Sequence, residues 1–415
     1  MSENLSTKSV GCSVPRQVTI SSSKFIISRL GFLSLAVGWD RVEIAYSGLT
    51  LDHGWLLQML NLTESALGFF NASEWMNALR ALSSESYLTH RLEAVRCPRT
   101  MLHAAFLTVC NYGRAYIPHP HGCLIPGRSI DDVFLLANAF GIEIEKSEAG
   151  LTFVRARTVA PRNRKIVISI PSNLLVEIAL ILALADGSEF EIFAPYIGPE
   201  DAWFFRQAGI RYRRDCSSLM WVINTNARRQ NFDRIEVPYD AYEANFWVLL
   251  ALACHTPMTI ESAISSFTPD SFPFESWAAV SRTSGGRLEI EGQHRLNGFD
   301  INLDGGGSFL ADDGPGLCGF ATTLPERSSI SDSRWPSRLR HVGQLHQLGF
   351  HVLGEYGRTL ILPPHSPRDG TVDALDIRTI CAVVIAALSA GVSVKVNNAQ
   401  EVERGISGFW NKLSG

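Results

Sequence analysis

Between Arg99 and Asp131 the chain places an arginine, then a proline- and glycine-dense turn carrying a cysteine (Pro120-His121-Gly122-Cys123-Leu124-Ile125-Pro126-Gly127), then a second arginine, Arg128. Cations near a thiol favour the thiolate, and a loop rich in glycine and proline keeps it accessible, so Cys123 is the reactive cysteine of choice among the eight. A loop cysteine without a role is the plain alternative, and the rest of the chain has to decide. The run His119-Pro120-His121-Gly122-Cys123 also reads as a metal cluster, but three ligands on one short loop lack the fourth partner that a closed site needs. No metal is expected.

Other residues that can do chemistry are spread widely. Lys24, in Ser22-Ser23-Lys24-Phe25, opens an apolar helix, where the helix dipole already favours anions such as phosphate or carboxylate. Asp312-Asp313 lies in a glycine-rich loop (Gly305 to Gly316), Arg338 follows Trp335-Pro336-Ser337, Asp376-Ile377-Arg378 opens the last apolar helix, and Glu403-Arg404-Gly405 lies near the end. Taken singly each is weak, and Asp376 at a helix start reads equally well as a cap.

The elements that position these residues follow from the pattern around them. At 415 residues, with 46% hydrophobic and 19% charged residues, the chain has apolar material for two ordinary domains. A net charge of -4 gives no global attraction to nucleic acid or anionic membrane, so neither is an expected partner. The scattered cysteines, without CxxC pairs, fit a reducing compartment, and the Ser/Thr-rich start shows no apolar h-region, so a cytoplasmic location is expected. The longest apolar run, Leu174 to Ala185, carries Glu177 and is too short to span a bilayer.

One pattern recurs six times: a buried-looking apolar helix, a breaker, then a short alternating strand. The breakers are Gly38, Gly113, Gly187, His255-Thr256-Pro257, Pro325 and Gly391, at intervals of 75, 74, 68, 70 and 66 residues. The strands expected after them are Val42–Ile44, Ala115–Ile117, Phe190–Ile192, Met258–Ile260, Ser328–Ile330 and Val392–Val394. Such a period implies internal duplication. Second helices should end before Gly141, Gly209 and Gly349. Helices such as Leu174 to Ala185, Asn245 to Cys254 and Ile377 to Leu388 are apolar nearly all round and should be buried, three to a domain, and the polar, basic stretch Ile223 to Val237 suits a domain crossing.

Together, these residues resemble the enolpyruvyl transferase family, which comprises UDP-N-acetylglucosamine enolpyruvyl transferase and 5-enolpyruvylshikimate-3-phosphate synthase. Arg99 and Cys123 keep the family's spacing of 24 residues; Arg128 and Asp131 follow as in the uridine-binding branch. Asp312, Arg338, Asp376, Arg378 and Arg404 fall at the family's intervals without insertions. The resemblance implies an α/β fold of two inverse α/β barrels, each of three two-helix, four-strand units around buried helices, with the active site in the cleft between them. It places residues 1–22 and 237–415 in one barrel and 23–236 in the other.

The same resemblance implies a set of roles. Lys24, Arg99, Arg128, Arg338, Arg378 and Arg404 would bind phosphoenolpyruvate; Arg128, Asp131, Ser169 and Asp312 would bind the acceptor, with Asp376 in support. Asp312 would take the acceptor's hydroxyl proton, Cys123 would protonate C3 or form a covalent adduct, and Lys24 would join them in catalysis, with no cofactor. The departures concern the acceptor. Phe25 replaces the asparagine of the UDP-sugar enzymes, Val167 their diphosphate lysine and Pro171 a glycine, while Trp335 stands where the shikimate branch has a glutamate. These favour a UMP-like acceptor, as in the enolpyruvyl transferases of nucleoside antibiotic pathways. The alternatives are the cell-wall reaction on UDP-N-acetylglucosamine and a non-catalytic nucleotide-binding paralogue.

Overall fold

Six helices, Lys24–Val37, Met101–Tyr112, Asn173–Asp186, Ala241–Ala253, Gly314–Ala321 and Ile377–Ala390, carry apolar side chains nearly all round and are buried as that pattern demands. In the computed structural model the described residues are 7–10, 13–91, 97–120, 130–156, 164–187, 189–218, 220–225, 233–262, 274, 277, 280–282, 287–292, 296–304, 309, 311–333, 335–374 and 376–414. Four of the six helices end on the expected glycine (38, 113, 187 and 391) in the left-handed conformation, with φ between 66° and 80°. His255 takes that conformation after the fourth helix, at φ 48°. The fifth is shorter and ends at Thr322 with helical dihedrals, so Pro325 follows its end at a distance.

Each buried helix is followed by a strand of its own sheet, six sheets in all among the described residues. Strands Lys165–Val167, Asp300–Asn302 and Gly370–Asp373 each run parallel to the strand that follows the next buried helix, Glu191–Ala194, Ser328–Ser331 and Val394–Asn397 respectively. A parallel pair needs such a helical crossover. In two units the first strands are exchanged. Gln17–Ile20, which precedes the first buried helix, pairs parallel with Met258–Ser262, whereas Arg234–Glu236, which precedes the fourth, pairs parallel with Arg41–Ala45. The chain thus starts beside its own second half and returns there, and the two passes bond to each other: Ser23 N–H donates to the Pro238 carbonyl at 2.7 Å and Asp240 N–H to that of Ser21 at 2.8 Å.

The buried apolar side chains form two clusters. One runs from Ile26 to Val237; the other joins Val10, Val18 and Ile20 to residues from Tyr239 to Leu413. In the second, the helices Gly314–Ala321 and Ile377–Ala390 approach so closely that a Cβ on Gly319 would lie 2.5 Å from the Ala382 carbonyl oxygen, so only glycine fits there.

Two expected boundaries shift for local reasons. Val392 is not in a strand, because its N–H closes the preceding helix onto Ala387 at 3.1 Å and the strand begins at Val394. The fourth buried helix starts at Ala241 rather than Asn245, since Asp240 caps it by accepting from Glu243 N–H at 3.0 Å. Three of the six sheets have three strands, not four, among the described residues. Within them no helix is long and apolar enough to cross a membrane.

Candidate active site

Three helix starts converge on one hollow. Lys24 opens its helix with its backbone N–H on Asp240 Oδ2 (3.3 Å) and its ammonium 4.8 Å from the centre of the Phe25 ring. A Cβ on Gly405 would come within 2.8 Å of Lys24 Nζ, so the residue after Arg404 has to be glycine for the lysine to lie where it does. Asp376 caps the last buried helix, accepting from Thr379 N–H at 2.8 Å and from its hydroxyl at 3.1 Å. That fixes Arg378, the second residue of the helix. Asp312 sits in the short turn Ala311–Asp313 ahead of the helix Gly314–Ala321.

Asp312 Oδ1 accepts from Arg338 Nη1 (2.7 Å) and from Arg378 Nε and Nη2 (3.0 and 2.6 Å). Burial by itself would raise this carboxyl; the guanidiniums of Arg378 and Arg338 overcome it and hold the group far below the usual carboxylate range. So fixed, Asp312 is a weak base, and it gains basicity only when the two guanidiniums turn to another anion. A cavity of about 140 Å³ beside it is lined by six cations, Lys24, Arg29, Arg99, Arg338, Arg378 and Arg404, drawn from both clusters' segments, against two carboxylates, Asp52 and Asp312. Arg404 meets Asp52 Oδ1 at 3.0 Å and Glu401 Oε2 at 3.0 Å, with its guanidinium 5.4 Å from the Trp55 ring centre. His53 in the same wall is pushed down to about 4 by burial and adds no charge at neutral pH. Burial also lowers Arg99, the cost of holding a cation in a partly dry wall.

Behind this wall lies an ionic network that the residue pattern announces only through one acidic residue in an apolar helix. Glu177 Oε1 takes Arg29 Nη1 at 2.5 Å and its Oε2 takes His103 Nε2 at 2.6 Å, with His103 Nδ1 3.2 Å from the Thr100 carbonyl. Burial opposes the charge on Glu177, but Arg29 and His103 hold its carboxyl down at about 2, whereas burial and the neighbouring Glu177 push Asp201 well up. Arg29 keeps its charge despite burial because these carboxylates surround it. A glutamate inside an otherwise apolar buried helix is the signal that finds this network. Nothing in the spacing of Asp201, Glu200 or Asp52 does.

A second cavity of about 190 Å³ continues from the first past Arg29, Arg99, Asp312 and Arg338 to Trp335, Glu200 and Asp132, and a third hollow of about 460 Å³ adjoins it through Asp132, Ile170 and Leu175. Ser169 and Val167 line the third, and Val167 is 67% exposed. Asp131 is exposed on the first turn of the helix Asp131–Ala139, and it is its neighbour Asp132 that faces both hollows. Cys123 and Arg128 lie outside the described residues. His119 Nε2 donates to the Ser147 carbonyl at 2.7 Å. Among the described residues no group of His, Cys, Asp and Glu is arranged to hold a metal ion.

No family model matches the chain. Curated relatives do. UDP-N-acetylglucosamine 1-carboxyvinyltransferase 2 of Prochlorococcus marinus is 23% identical over 330 residues, covering 75% of each chain. The Thermus thermophilus UDP-N-acetylglucosamine 1-carboxyvinyltransferase is 27% identical over 313 residues, covering 72% of this chain and 70% of its own. Among solved structures, the enolpyruvyl transferase NikO from Streptomyces tendae superposes with a TM-score of 0.74 at 17% identity, covering 99% of this chain and 96% of its own. An EPSP synthase from Acinetobacter baumannii superposes at 0.64 with 13% identity, over 96% and 95%. Over about three quarters of its length the chain is similar in sequence to UDP-N-acetylglucosamine carboxyvinyltransferases, and it shares its mixed α/β fold with enolpyruvyl transferases, so the enolpyruvyl transferases are the enzymes it resembles.

Proposed function

We propose that the protein transfers the enolpyruvyl group of phosphoenolpyruvate to a hydroxyl of a uridine nucleotide, UMP-like rather than a UDP-sugar, and releases phosphate. The observation that carries this reading is the cavity in which six cations surround Asp312. Phosphoenolpyruvate brings a carboxylate and a phosphate, and planar guanidiniums match both bidentately. Arg338, Arg378, Arg404, Lys24 and Arg99, with Arg128, receive those groups. As Arg338 and Arg378 turn to the substrate, Asp312 is released to take the acceptor's proton. The acceptor oxygen attacks C2, C3 gains a proton, and phosphate leaves the tetrahedral adduct. Cys123, five residues before Arg128 in the sequence, supplies a thiol to the same chemistry.

The third hollow, with Ser169, Asp132 and an apolar floor, suits a nucleobase and its sugar, with Asp131 and Arg128 nearby in sequence. Val167 supports the choice of acceptor: it offers no charge where the UDP-sugar enzymes have a lysine for the diphosphate. Loss of one such contact costs about 1.5 to 3 kcal/mol, which disfavours UDP-N-acetylglucosamine about tenfold or more. The test compares kcat/KM for UMP and UDP-N-acetylglucosamine in the wild type and in Val167→Lys. A wild-type preference for the UDP-sugar, or a ratio that the lysine leaves unchanged, would transfer the reading to the reaction on UDP-N-acetylglucosamine, the substrate in the curated relatives' names. In architectural detail the proposal is two inverse α/β barrels, residues 23–236 and residues 1–22 with 237–415, and the two apolar clusters support that division.

A further inference from the structure

His53 is buried in the wall of the cavity of about 140 Å³ that six cations line, at 1% exposure, as the third residue of the helix Leu51–Leu60. Its Nδ1 accepts from the Thr50 backbone N–H at 2.9 Å, and its Nε2 lies 3.1 Å from the Lys24 carbonyl oxygen. A backbone N–H only donates and a carbonyl only accepts, so these two contacts fix the tautomer: Nδ1 is bare and Nε2 carries the hydrogen. The ring is thus a neutral bridge between two helix starts, the Thr50 cap of its own helix and the first residue of the helix Lys24–Val37. A Glu or Gln three residues into a helix commonly reaches back to the N-cap N–H. A histidine does so with one nitrogen and keeps the other as a donor to a second element.

The bridge meets Lys24 where the two passes of the chain join. Lys24 N–H donates to Asp240 Oδ2 at 3.3 Å, and Asp240 caps a helix of the second apolar cluster; Lys24 O receives His53 from a helix of the first. The backbone of Lys24 is therefore held from two elements, and its ammonium, 4.8 Å from the Phe25 ring centre and 5.9 Å from that of Tyr242, lies in the cavity wall in the direction this backbone gives it. We infer that His53 is a positioning residue for phosphoenolpyruvate binding: its Nε2–H holds the start of the helix Lys24–Val37 so that the Lys24 ammonium meets the incoming anion. The inference rests on the enolpyruvyl-transfer reading above. The other nitrogen, through Thr50, holds the start of the helix whose Asp52 meets Arg404 at 3.0 Å, so the two contacts serve different cations and can be separated.

The experiment measures binding of phosphoenolpyruvate and of inorganic phosphate by calorimetry, with thermal melts and steady-state kinetics, in wild type, His53→Asn, His53→Gln and His53→Phe. Asn offers an acceptor near the place of Nδ1 and keeps the Thr50 contact, but is too short for Lys24. Gln carries both an acceptor and a donor on a longer chain, and Phe keeps the ring while losing both contacts. His53→Asn should melt above His53→Phe yet bind phosphoenolpyruvate about three- to tenfold more weakly than wild type, with KM rising by that factor and kcat changing less. His53→Gln should regain part of the affinity. In a Lys24→Met background, adding His53→Asn should change the affinity little, because the histidine acts through the lysine. Wild-type affinity in a folded His53→Asn, or an undiminished further loss in the Lys24→Met background, would overturn the assignment and leave the functional reading in place. Wild type that binds neither anion would overturn both.

Discussion

Replacing Asp312 by Asn tests the coupling between substrate binding and basicity. Its Oδ1 receives three hydrogen bonds from two guanidiniums whose side chains are 8% and 11% exposed, and Asp312 itself is 23% exposed. Removing one partner from a buried ion pair costs about 3–5 kcal/mol, and the amide oxygen recovers part of that by accepting from one arginine, so a loss of about 2–3 kcal/mol is expected. The two guanidiniums no longer have a carboxylate to leave when an anion arrives. Phosphoenolpyruvate and inorganic phosphate should therefore bind Asp312→Asn about tenfold more tightly or better, since each tenfold is about 1.4 kcal/mol. Turnover should fall about 10²- to 10⁴-fold because the proton acceptor is gone. Calorimetry measures the first effect, thermal unfolding with and without phosphate the second, and acceptor-dependent phosphate release the third. Weaker anion binding by the variant, or a rate within tenfold of wild type, would show that Asp312 neither competes with substrate for its two arginines nor takes the proton.

Other perturbations separate the remaining parts. Burial pushes the Cys97, Cys254 and Cys381 thiols up to about 12 and Cys110 to about 11, and raises Cys318 as well, so limited alkylation followed by peptide mapping should label Cys123 first, with the exposed Cys216 as the internal comparison. Fosfomycin, an epoxide resembling phosphoenolpyruvate, should modify the same residue; preferential labelling of Cys97 or Cys318 would count against it. Glu177→Gln unties Arg29 and His103 from a buried carboxylate and should cost about 3 kcal/mol while raising KM for the acceptor more than it lowers affinity for phosphoenolpyruvate, a split read from steady-state kinetics. Glu200, raised from 4.5 to about 7 in the folded chain, binds more protons folded than unfolded between those values, so its contribution is kept at low pH and lost as pH rises to 7. Glu200→Gln should accordingly be more stable than wild type at pH 8 by on the order of 2 kcal/mol and indistinguishable from it near pH 4, as thermal melts at the two pH values will report.

The sixfold plan was legible because each buried helix carries its own stop: Gly38, Gly113, Gly187 and Gly391 end apolar runs where a left-handed residue is required. The exchange of first strands between two units was not, since nothing in Gln17–Ile20 or Arg234–Glu236 names its neighbour; that is settled by which sheet edge the returning chain meets. Lys24, Asp312, Arg338, Arg378 and Arg404 could be picked out by type and interval, and they do line one cavity. Their pairing could not: that Asp312 is occupied by two arginines, and that Arg404 rests on Asp52 from a helix over three hundred residues away, depends on side-chain reach between segments far apart in the sequence. At the start of the helix Asp131–Ala139, Asp131 is exposed while its neighbour Asp132 lines the hollows, a difference that spacing alone does not announce.

If this cavity moves an enolpyruvyl group from phosphoenolpyruvate to a uridine nucleotide, both products report it. Purified protein incubated with phosphoenolpyruvate and, separately, UMP, UDP-N-acetylglucosamine or shikimate 3-phosphate measures it directly, by phosphate release and by mass spectrometry of the acceptor. Phosphate release is expected only when an acceptor is present, fastest with UMP, with one carboxyvinyl group on the nucleotide for each phosphate formed. Phosphate release that ignores the acceptor, or none with any of the three, would contradict it.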